Sequence, residues 1–263
     1  MVMASTVGEE FDDISEIYDS TRQAATDAEL RAVSSELGDC CTILDVGVGT
    51  GRFSKPLSDL GFEMVGIDFS RKMLLKARQK GVRNLILADA HNMPFKDGTF
   101  DASIIIHVLH LLPDWLSVAR EMGRVTKIKV AALLINRQGE WSGAANVSGN
   151  SASPVCPKLW VRYVQLREEM GYPLKRNKRM WQNEAEIRAK LPPTKIVEVS
   201  NEVIVTNLSD LITRFQQRPY SLQRDIPVDV HNKIIQKLLA STENADSAGM
   251  EAASDLRNKQ ITR

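Results

Sequence analysis

Residues 43–53 read ILDVGVGTGRF, and this stretch decides the fold. An apolar pair leads into Asp45, three glycines then alternate, and Arg52 and Phe53 follow. This order predicts a buried strand, a tight turn and the first turn of a helix. Glycine tolerates positive φ and lets a ligand lie against the main chain. The N–H groups of the first helical turn would face that ligand.

Two phosphate-binding motifs do not fit this stretch. A P-loop requires Lys and then Ser or Thr after its last glycine, and neither follows Gly51. The dinucleotide fingerprint requires a glycine where this chain has Arg52. An acid at Asp45, two residues before the first glycine, suits a ligand with positive charge better than a pyrophosphate. A Gly-rich loop of a doubly wound fold without a ligand is the alternative.

Three further apolar runs are predicted to be strands, and each places a polar side chain at its end. They are residues 63–70 with Asp68, residues 84–88 followed by Asp89, and residues 100–106 followed by His107. Ligands of doubly wound sheets bind at the carboxyl ends of the strands. These polar residues are therefore predicted to share one edge of a parallel sheet. An acid beyond the first helix, such as Asp68, can accept both hydroxyls of a ribose.

Taken together, these residues resemble a class I S-adenosylmethionine-dependent methyltransferase. The motifs are DVGVGTG from residue 45, GIDFSRKML from residue 66 and ADAHNMPFKDGTFDASIIIHVLHLLPD from residue 88. They are similar to the type 11 methyltransferase domain of small-molecule enzymes, among them the ubiquinone and menaquinone biosynthesis methyltransferases. The resemblance implies an α/β, Rossmann-like fold: a seven-stranded, mostly parallel sheet with helices on both faces, an antiparallel last strand and a helical cap.

The resemblance also implies where the methionine part of S-adenosylmethionine would bind. Asp45 and the backbone around Gly47, Val48 and Gly49 would hold it. Gly51 would allow helix and strand to approach closely. S-adenosyl-L-homocysteine would be the product left in this site.

The nucleoside part of the cofactor would meet the ends of the next three strands. By the same resemblance, Asp68 would accept the ribose hydroxyls and Phe69 would pack on the adenine. Asp89 would accept from the adenine amine, with the Ala90 N–H nearby. His107 would line the pocket of the methyl donor.

Weaker cofactor contacts are expected from Tyr18, Arg22 and Met73, which could equally pack within the protein. Simpler roles also compete for the main residues. Asp68 could cap the helix that follows it, Asp89 could be a turn acid, and the neighbouring Phe69 could belong to the core.

The expected chemistry is in-line displacement at the sulfonium methyl, for which the protein supplies orientation and excludes water. A general base is needed only where the acceptor must lose a proton early. His107, His110 and Asp114 are the candidates, and imidazole is poised near physiological pH. Their spacing is too loose to predict a metal site.

Composition narrows the class of protein. The chain has 263 residues, with 34 basic and 33 acidic side chains, which gives no electrostatic footprint for nucleic acid. No apolar stretch is long enough for a membrane span, and the start MVMASTVGEEFDD lacks the features of a secretory signal. Three cysteines, two of them adjacent, form no disulfide framework or zinc spacing, so we expect a cytoplasmic protein. Its partner would be a small-molecule methyl acceptor; the oligomeric state is not predicted.

The sequence predicts five segments. N-terminal helices in 1–38 would lie over the cofactor edge or pack on the sheet, and 39–136 would form the cofactor-binding core. A loop and two helices in 137–193 would cap the substrate. Residues 194–240 would supply the last strands and C-terminal helices, and 241–263 would be a disordered tail.

The sequence leaves two strand boundaries undecided. Similar enzymes have a Pro-Gly-Gly turn before the fifth strand, where this chain has residues 126–129, TKIK, so the turn geometry is open. Ser200 and Asn201 could split residues 195–206 into the last two strands.

The sequence leaves three other functions open. The protein could keep the cofactor pocket as a catalytically inactive partner subunit. It could be an RNA methyltransferase that uses the basic run 175–179, KRNKR, although such a run is more often a solvated face. Aminopropyl transfer is the third, disfavoured because no acidic pair for a polyamine is evident.

Overall fold

A computed structural model describes residues 11–22, 24–112, 114–136, 155–173, 184–206, 212–213, 215–246 and 253–262. The chain divides into two compact units. Unit 1 comprises residues 1–136, 177–200 and 259–263, and unit 2 comprises residues 137–176 and 201–258, each as far as it is described.

The centre of unit 1 is a parallel sheet. Its strands are β1 Thr42–Val46, β2 Glu63–Asp68, β3 Asn84–Leu87, β4 Phe100–Ile106 and β5 Thr126–Asn136, in the order β3-β2-β1-β4-β5. Val46 lies opposite Ile67 of β2 and Ile105 of β4, so the carboxyl ends of these strands are level. The order reverses at β1, which is the switch point where doubly wound sheets bind ligands.

Helices follow or precede these strands. They are α1 Tyr18–Thr21, α2 Asp27–Leu37, α3 Ser54–Asp59, α4 Arg71–Gln79, α5 Trp115–Val125, α6 Val155–Glu169, α7 Glu184–Lys190, α8 Ser221–Arg224 and α9 Val228–Asp246, with a 3₁₀ turn at Leu109–Leu111. None of the helices in the described part of the chain is long and apolar enough to cross a membrane.

Successive residues of the strands point to opposite faces of the sheet and build two cores. Leu44 belongs to the core that contains Trp115 of α5, whereas its neighbour Ile43 belongs to the core that contains Leu37 of α2 and Leu57 of α3. The sheet is therefore covered by helices on both faces, as the sequence predicts for a Rossmann-like fold.

The N-terminal segment differs from the continuous amphipathic helix that the sequence predicts. Residues 11–14 are helical, 15–17 form a turn, and α1 starts at Tyr18. The Ser15 hydroxyl donates to the Asp12 carbonyl at 2.8 Å, and the Thr21 hydroxyl donates to the Ile17 carbonyl at 2.8 Å. Such side-chain bonds compete with the helical backbone pattern, which explains the interruption.

The doubtful turn before β5 is absent from the described chain, because α5 ends at Val125 and β5 begins at Thr126. The pairing of β4 with β5 is irregular between Phe100 and Ala102. This irregularity accommodates a strand β5 that begins directly after helix α5. The strand thus starts four residues earlier than the apolar pattern from Val130 predicts.

The C-terminal part corrects two further predictions. Residues Ile196–Thr206 form one strand, β6, rather than two split at 200–201. In the predicted disordered tail, α9 continues to Asp246 and Ala253–Thr262 form a strand, β7. Composition does not predict this strand, because strand formation depends on neighbouring strands more than on the intrinsic preference of the residues.

Unit 2 has its own core around Tyr163 of α6, Phe215 and Ile234 of α9. The predicted cap over 137–193 does not lie in one unit: α6 belongs to unit 2, and α7 belongs to unit 1, where Ile187 joins the core under α5. Residues 137–154, most of the predicted substrate loop, and the basic run 175–179 lie outside the described residues. So do residues 207–211 of the helix predicted after β6.

Candidate functional site

A cavity of about 280 Å³ opens at the carboxyl ends of β1, β2 and β4. It is lined by Phe11, Tyr18, Asp45, Val46, Gly47, Val48, Gly49, Thr50, Arg52, Phe53, Ile67, Asp68, Phe69, Ser70, Met73, Ala88, Asp89, Ala90, His91, Ile106, His107, Val108, Leu111, Leu112 and Asp114. All of these residues belong to unit 1. The volume approaches that of typical small-molecule sites, and its walls combine apolar side chains with a few acids.

The glycine turn forms the floor of the cavity. The N–H groups of Gly47 and Val48 donate to the Ile67 carbonyl at 2.9 and 3.0 Å, which ties the turn to β2. Gly49 has φ +55°, and a Cβ added there would meet nothing within 4 Å. A Cβ on Gly51, at φ +75°, would lie 2.6 Å from Val82 Cγ2. Gly49 thus leaves open space for a ligand, whereas the absence of a side chain at Gly51 allows Val82 to pack against the turn.

Asp68 joins this turn to the start of α4. Its Oδ2 accepts the Gly49 N–H and its Oδ1 accepts the Ser70 N–H, both at 2.8 Å. Burial raises the pKa of Asp68, although these backbone hydrogen bonds act in the opposite direction. The helix cap itself is Ser70, whose hydroxyl accepts the Met73 N–H at 3.1 Å. Ser70, and not Asp68, is therefore the N-cap of α4, so the alternative prediction that Asp68 caps this helix is wrong.

Asp45 is buried at the end of β1. Its Oδ2 accepts a 2.7 Å hydrogen bond from the hydroxyl of Ser54, which is also buried. Burial raises the pKa of Asp45 to about 7, against the lowering effect of the Ser54 bond. The charge of Asp68 raises the pKa further, and that of Arg52 lowers it. At neutral pH this carboxyl is poised between its two protonation states.

Asp89 is held by His91 in the loop after β3. The His91 N–H donates to Asp89 Oδ1 at 2.9 Å, and the imidazole Nδ1 lies 2.7 Å from the same oxygen. Burial raises the pKa of Asp89, but these contacts and the charge of His91 outweigh it, so the pKa is lowered. Asp89 does make the turn contact foreseen as its simpler role, and it also lines the cavity.

Phe69 and His107 stand at two other walls. Phe69 is 40% exposed and lines the cavity, so it is not a core residue. His107 follows β4 with φ +57°, which is uncommon for a residue other than glycine. Its Nε2 lies 3.9 Å from Oε1 of Glu29, a residue of α2 that is 1% exposed.

The N-terminal segment carries Phe11 and Tyr18 to the cavity and is attached to α4 by ionic and polar contacts. Asp12 Oδ1 accepts the Ser70 hydroxyl and the Lys72 N–H, at 2.5 and 3.0 Å. Glu16 pairs with Lys76 at 2.6 Å. Asp19 pairs with Lys80 at 2.6 Å.

Most of the residues predicted from the sequence meet in this cavity. They are Tyr18, Asp45, Gly47, Val48, Gly49, Asp68, Phe69, Met73, Asp89, Ala90, His107 and Asp114. Gly51 lies behind the turn against Val82, in the packing role expected of it, and Arg22 stacks over the Tyr18 ring at 5.4 Å without lining the cavity. The side chain of His110 lies outside the described residues.

Sequence reasoning missed four supporting residues: Thr50, Ser54, His91 and Glu29. Thr50 donates to Asp19, and the others contact Asp45, Asp89 and His107 as given above. A signal existed for Glu29, because Thr26-x-x-Glu29 is a capping-box pattern. The pattern marks the start of α2, but it cannot indicate a distant histidine.

The fold is Rossmann-like, and the fold and this site are similar to those of class I methyltransferases. Residues 44–133, about a third of the chain, match the methyltransferase domain family. This confirms the resemblance seen in the sequence motifs.

Two curated relatives and one solved structure illustrate the similarity. The demethylmenaquinone methyltransferase of Paenarthrobacter aurescens is 34% identical over 126 residues, which cover 44% of this chain and 49% of that protein. The phosphatidylethanolamine N-methyltransferase of Cereibacter sphaeroides is 36% identical over 101 residues, covering 36% and 49%. The chain thus spans about half the length of the curated relatives it matches.

The solved structure is that of a proposed methyltransferase from an antibiotic biosynthesis pathway of Anabaena variabilis. It aligns with a TM-score of 0.59 at 16% identity, covering 89% of this chain and 96% of that one. At this identity the similarity supports the fold alone.

Proposed function

We propose that the protein transfers a methyl group from S-adenosylmethionine to a small-molecule acceptor. The observation that carries the proposal is the hydrogen bond between Gly49 and Asp68 at the edge of the cavity. This cavity lies at the switch point of the sheet, and the segment that contains the sheet matches the methyltransferase domain family. The names of the curated relatives support the same reaction class.

The residues present fit this cofactor. The open space at Gly49 suits a ligand against the main chain, and the carboxylates of Asp45 and Asp68 suit a molecule with positive charge and vicinal hydroxyls. The half-exposed ring of Phe69 offers a wall for an adenine, and Asp89 an acceptor for its amine. When bound, S-adenosylmethionine supplies a methyl group on a sulfonium that is a good leaving group.

The protein would contribute orientation, exclusion of water and, for acceptors that carry a proton, a base. The apolar walls Leu111, Leu112 and Val108 would keep water from the transferring methyl. His107 is the base candidate whose geometry is described, and Asp114 lines the same cavity.

We further infer the complete architecture expected of such enzymes. The strand order β3-β2-β1-β4-β5-β7-β6 supports a seven-stranded sheet in which β7, inserted beside β5, is the antiparallel strand. A location in the cytoplasm stays a prediction.

A thermal melt tests cofactor binding. A ligand at about 100 times its dissociation constant stabilises the native state by roughly 2.7 kcal/mol. For a chain of this size the melting temperature should then rise by roughly 5–10 °C with S-adenosylmethionine or S-adenosylhomocysteine. Asp68→Asn should reduce the rise to about half or less, whereas Glu63→Gln, which also replaces a carboxylate by an amide but at the other end of β2, should keep it.

Transfer is then tested with cofactor labelled in the methyl group and a panel of quinol and amine acceptors. Labelled product supports the proposal. Absence of any thermal shift in folded protein would refute it. A shift without transfer to any acceptor would instead favour the inactive partner subunit.

A further inference from the structure

We propose that Glu29 is a positioning residue that stabilises the charged form of His107, the acid–base group of the cavity. The inference rests on the proposed methyl transfer and adds a residue that the site motifs do not contain. Glu29 lies in α2, outside the segment that matches the methyltransferase domain family.

Glu29 is fixed once at its carboxylate and once at its backbone N–H. Its Oε2 accepts the Thr26 N–H at 2.8 Å, and its own N–H donates to the Thr26 hydroxyl at 3.2 Å, which completes a capping box. This arrangement leaves Oε1 3.9 Å from His107 Nε2. Glu29 is 1% exposed, and it lies at the start of a helix, where partial positive charge attracts acidic side chains.

The backbone of His107 is fixed by β5. His107 is the first residue after β4, and its N–H donates to the Leu133 carbonyl of β5 at 3.1 Å. Its φ of +57° is an uncommon conformation for a residue with a Cβ, and such outliers cluster at functional sites. His107 lines the cavity, and its Nε2 is the ring atom near the Glu29 carboxylate.

The chemical consequence concerns a proton. An opposite charge within about 4–6 Å stabilises the imidazolium form. As the acceptor atom bonds to the methyl carbon, the carbon–sulfur bond breaks with its electron pair on sulfur. The acceptor's proton passes to the His107 imidazole, which later releases it to water. Glu29 would stabilise the positive charge that the ring gains.

The variant Glu29→Gln separates charge from structure, because glutamine can still serve as the N3 residue of a capping box. The chain has only four histidines, so the imidazole of His107 can be followed by NMR as a function of pH in the protein without ligand. We expect the pKa of His107 to fall by about one unit or more in Glu29→Gln. Glu36→Gln, a second buried acid of the same helix that pairs with Lys195, should leave it unchanged.

The other ionisable side chains of the cavity stay the same in both variants. They are Tyr18, Asp45, Arg52, Asp68, Asp89, His91 and Asp114. A pKa of His107 that is equal in wild type and Glu29→Gln would overturn the proposal, and this result does not depend on whether the protein binds cofactor or transfers methyl groups.

Activity gives a second test. At saturating cofactor, where Asp45 no longer affects cofactor occupancy, the acid limb of the kcat/KM profile for the acceptor should move to lower pH in Glu29→Gln and kcat should fall about tenfold, while cofactor Kd changes less than twofold. His107→Gln should lose the acid limb, and adding Glu29→Gln to it should have no further effect. A Glu29 effect that persists in the His107→Gln background would overturn the positioning role, as would an unshifted profile. If Glu29→Gln does not fold, His107→Gln still tests the proposal by itself. Retention of the acid limb in His107→Gln would then overturn the base role on which the proposal depends.

Discussion

The backbone N–H of Gly49 donates a 2.8 Å hydrogen bond to Oδ2 of Asp68, and thereby links the turn after β1 to the end of β2. The other carboxylate oxygen accepts the N–H of Ser70. One side chain thus holds both loops that border the cavity. A carboxylate has about four lone-pair positions, so these bonds do not use up its capacity to accept from a ligand.

Substitutions of Asp68 should separate its two roles. Asp68→Ala leaves two backbone donors without their acceptor, and we expect it to lower the free energy of unfolding by about 1–3 kcal/mol. Asp68→Asn keeps one acceptor oxygen and should cost less. Both should weaken cofactor binding at least tenfold, as measured by calorimetry. Undiminished affinity in Asp68→Asn would contradict the ribose role.

Cofactor binding should release protons from Asp45. At pH 7 its carboxyl, with a pKa of about 7, is about half protonated, and a cationic ligand favours the charged form. Calorimetry in buffers of different ionisation enthalpy should therefore show up to about half a proton more released by wild type than by Asp45→Asn. Affinity should rise with pH through 7 only in wild type. Equal proton release by both proteins would exclude Asp45 as the titrating group.

Ser54 should control this behaviour without touching the ligand. Its hydroxyl bond lowers the pKa of Asp45, so Ser54→Ala should raise that pKa further. We expect weaker cofactor binding at pH 7, with recovery toward wild-type affinity at higher pH. Ser58→Ala in the same helix is the matched control. An affinity deficit that is independent of pH would point to a packing defect instead.

The two glycines of the turn should respond differently to alanine. Gly49→Ala meets only the backbone cost of positive φ, roughly 1–2 kcal/mol. Gly51→Ala adds a 2.6 Å approach to Val82 Cγ2, so we expect a larger loss of stability. Denaturant unfolding should show this order, and cofactor titration should show the greater loss of affinity in Gly49→Ala. The reverse order of stability would contradict the packing at Gly51.

The ionic contacts of the N-terminal segment should make cofactor affinity sensitive to salt. The pairs Glu16–Lys76 and Asp19–Lys80 are partly exposed, and salt screens such pairs. The double variant Glu16→Gln/Asp19→Asn should bind cofactor about two- to tenfold more weakly at low salt and lose most of the salt dependence. Asp59→Asn, which removes the Lys55–Asp59 pair on α3, should change neither property.

His231 in unit 2 should make stability depend on pH. Burial, and then the charge of Arg218, lowers its pKa to about 4 from 6.5. Between these values the unfolded state binds more protons than the folded state, so stability falls as pH drops from about 6.5 to 4, by up to about 3 kcal/mol. Asp45, whose pKa is raised, acts in the opposite direction over pH 4–7.

The contribution of His231 is isolated by comparison with His231→Gln, which cannot titrate. The neutral ring accepts from the Tyr163 hydroxyl at 2.8 Å and donates to the Phe215 carbonyl at 3.1 Å. Urea midpoints followed by circular dichroism should decline more steeply from pH 7 to pH 5 in wild type than in the variant. Parallel declines would show that other groups govern the acid range.

The sequence by itself predicted the sheet from β1 to β4 and its polar edge. Alternation of apolar residues, the glycine spacing from Gly47 to Gly51 and an acid or histidine at each strand end are local features. In a parallel sheet such ends must meet, so Asp68, Asp89 and His107 were predicted as neighbours without coordinates.

Only the tertiary structure decided which side chains support these residues. The Asp12 contacts join positions 58 and 60 residues apart, and the pair of Glu29 with His107 joins two elements on separate stretches of the chain. The pKa of Asp45 depends on burial, which no local pattern records. β7 likewise forms where composition favours disorder. Local sequence determines backbone preference and polarity, whereas burial, charge state and distant partners arise from packing of the whole domain.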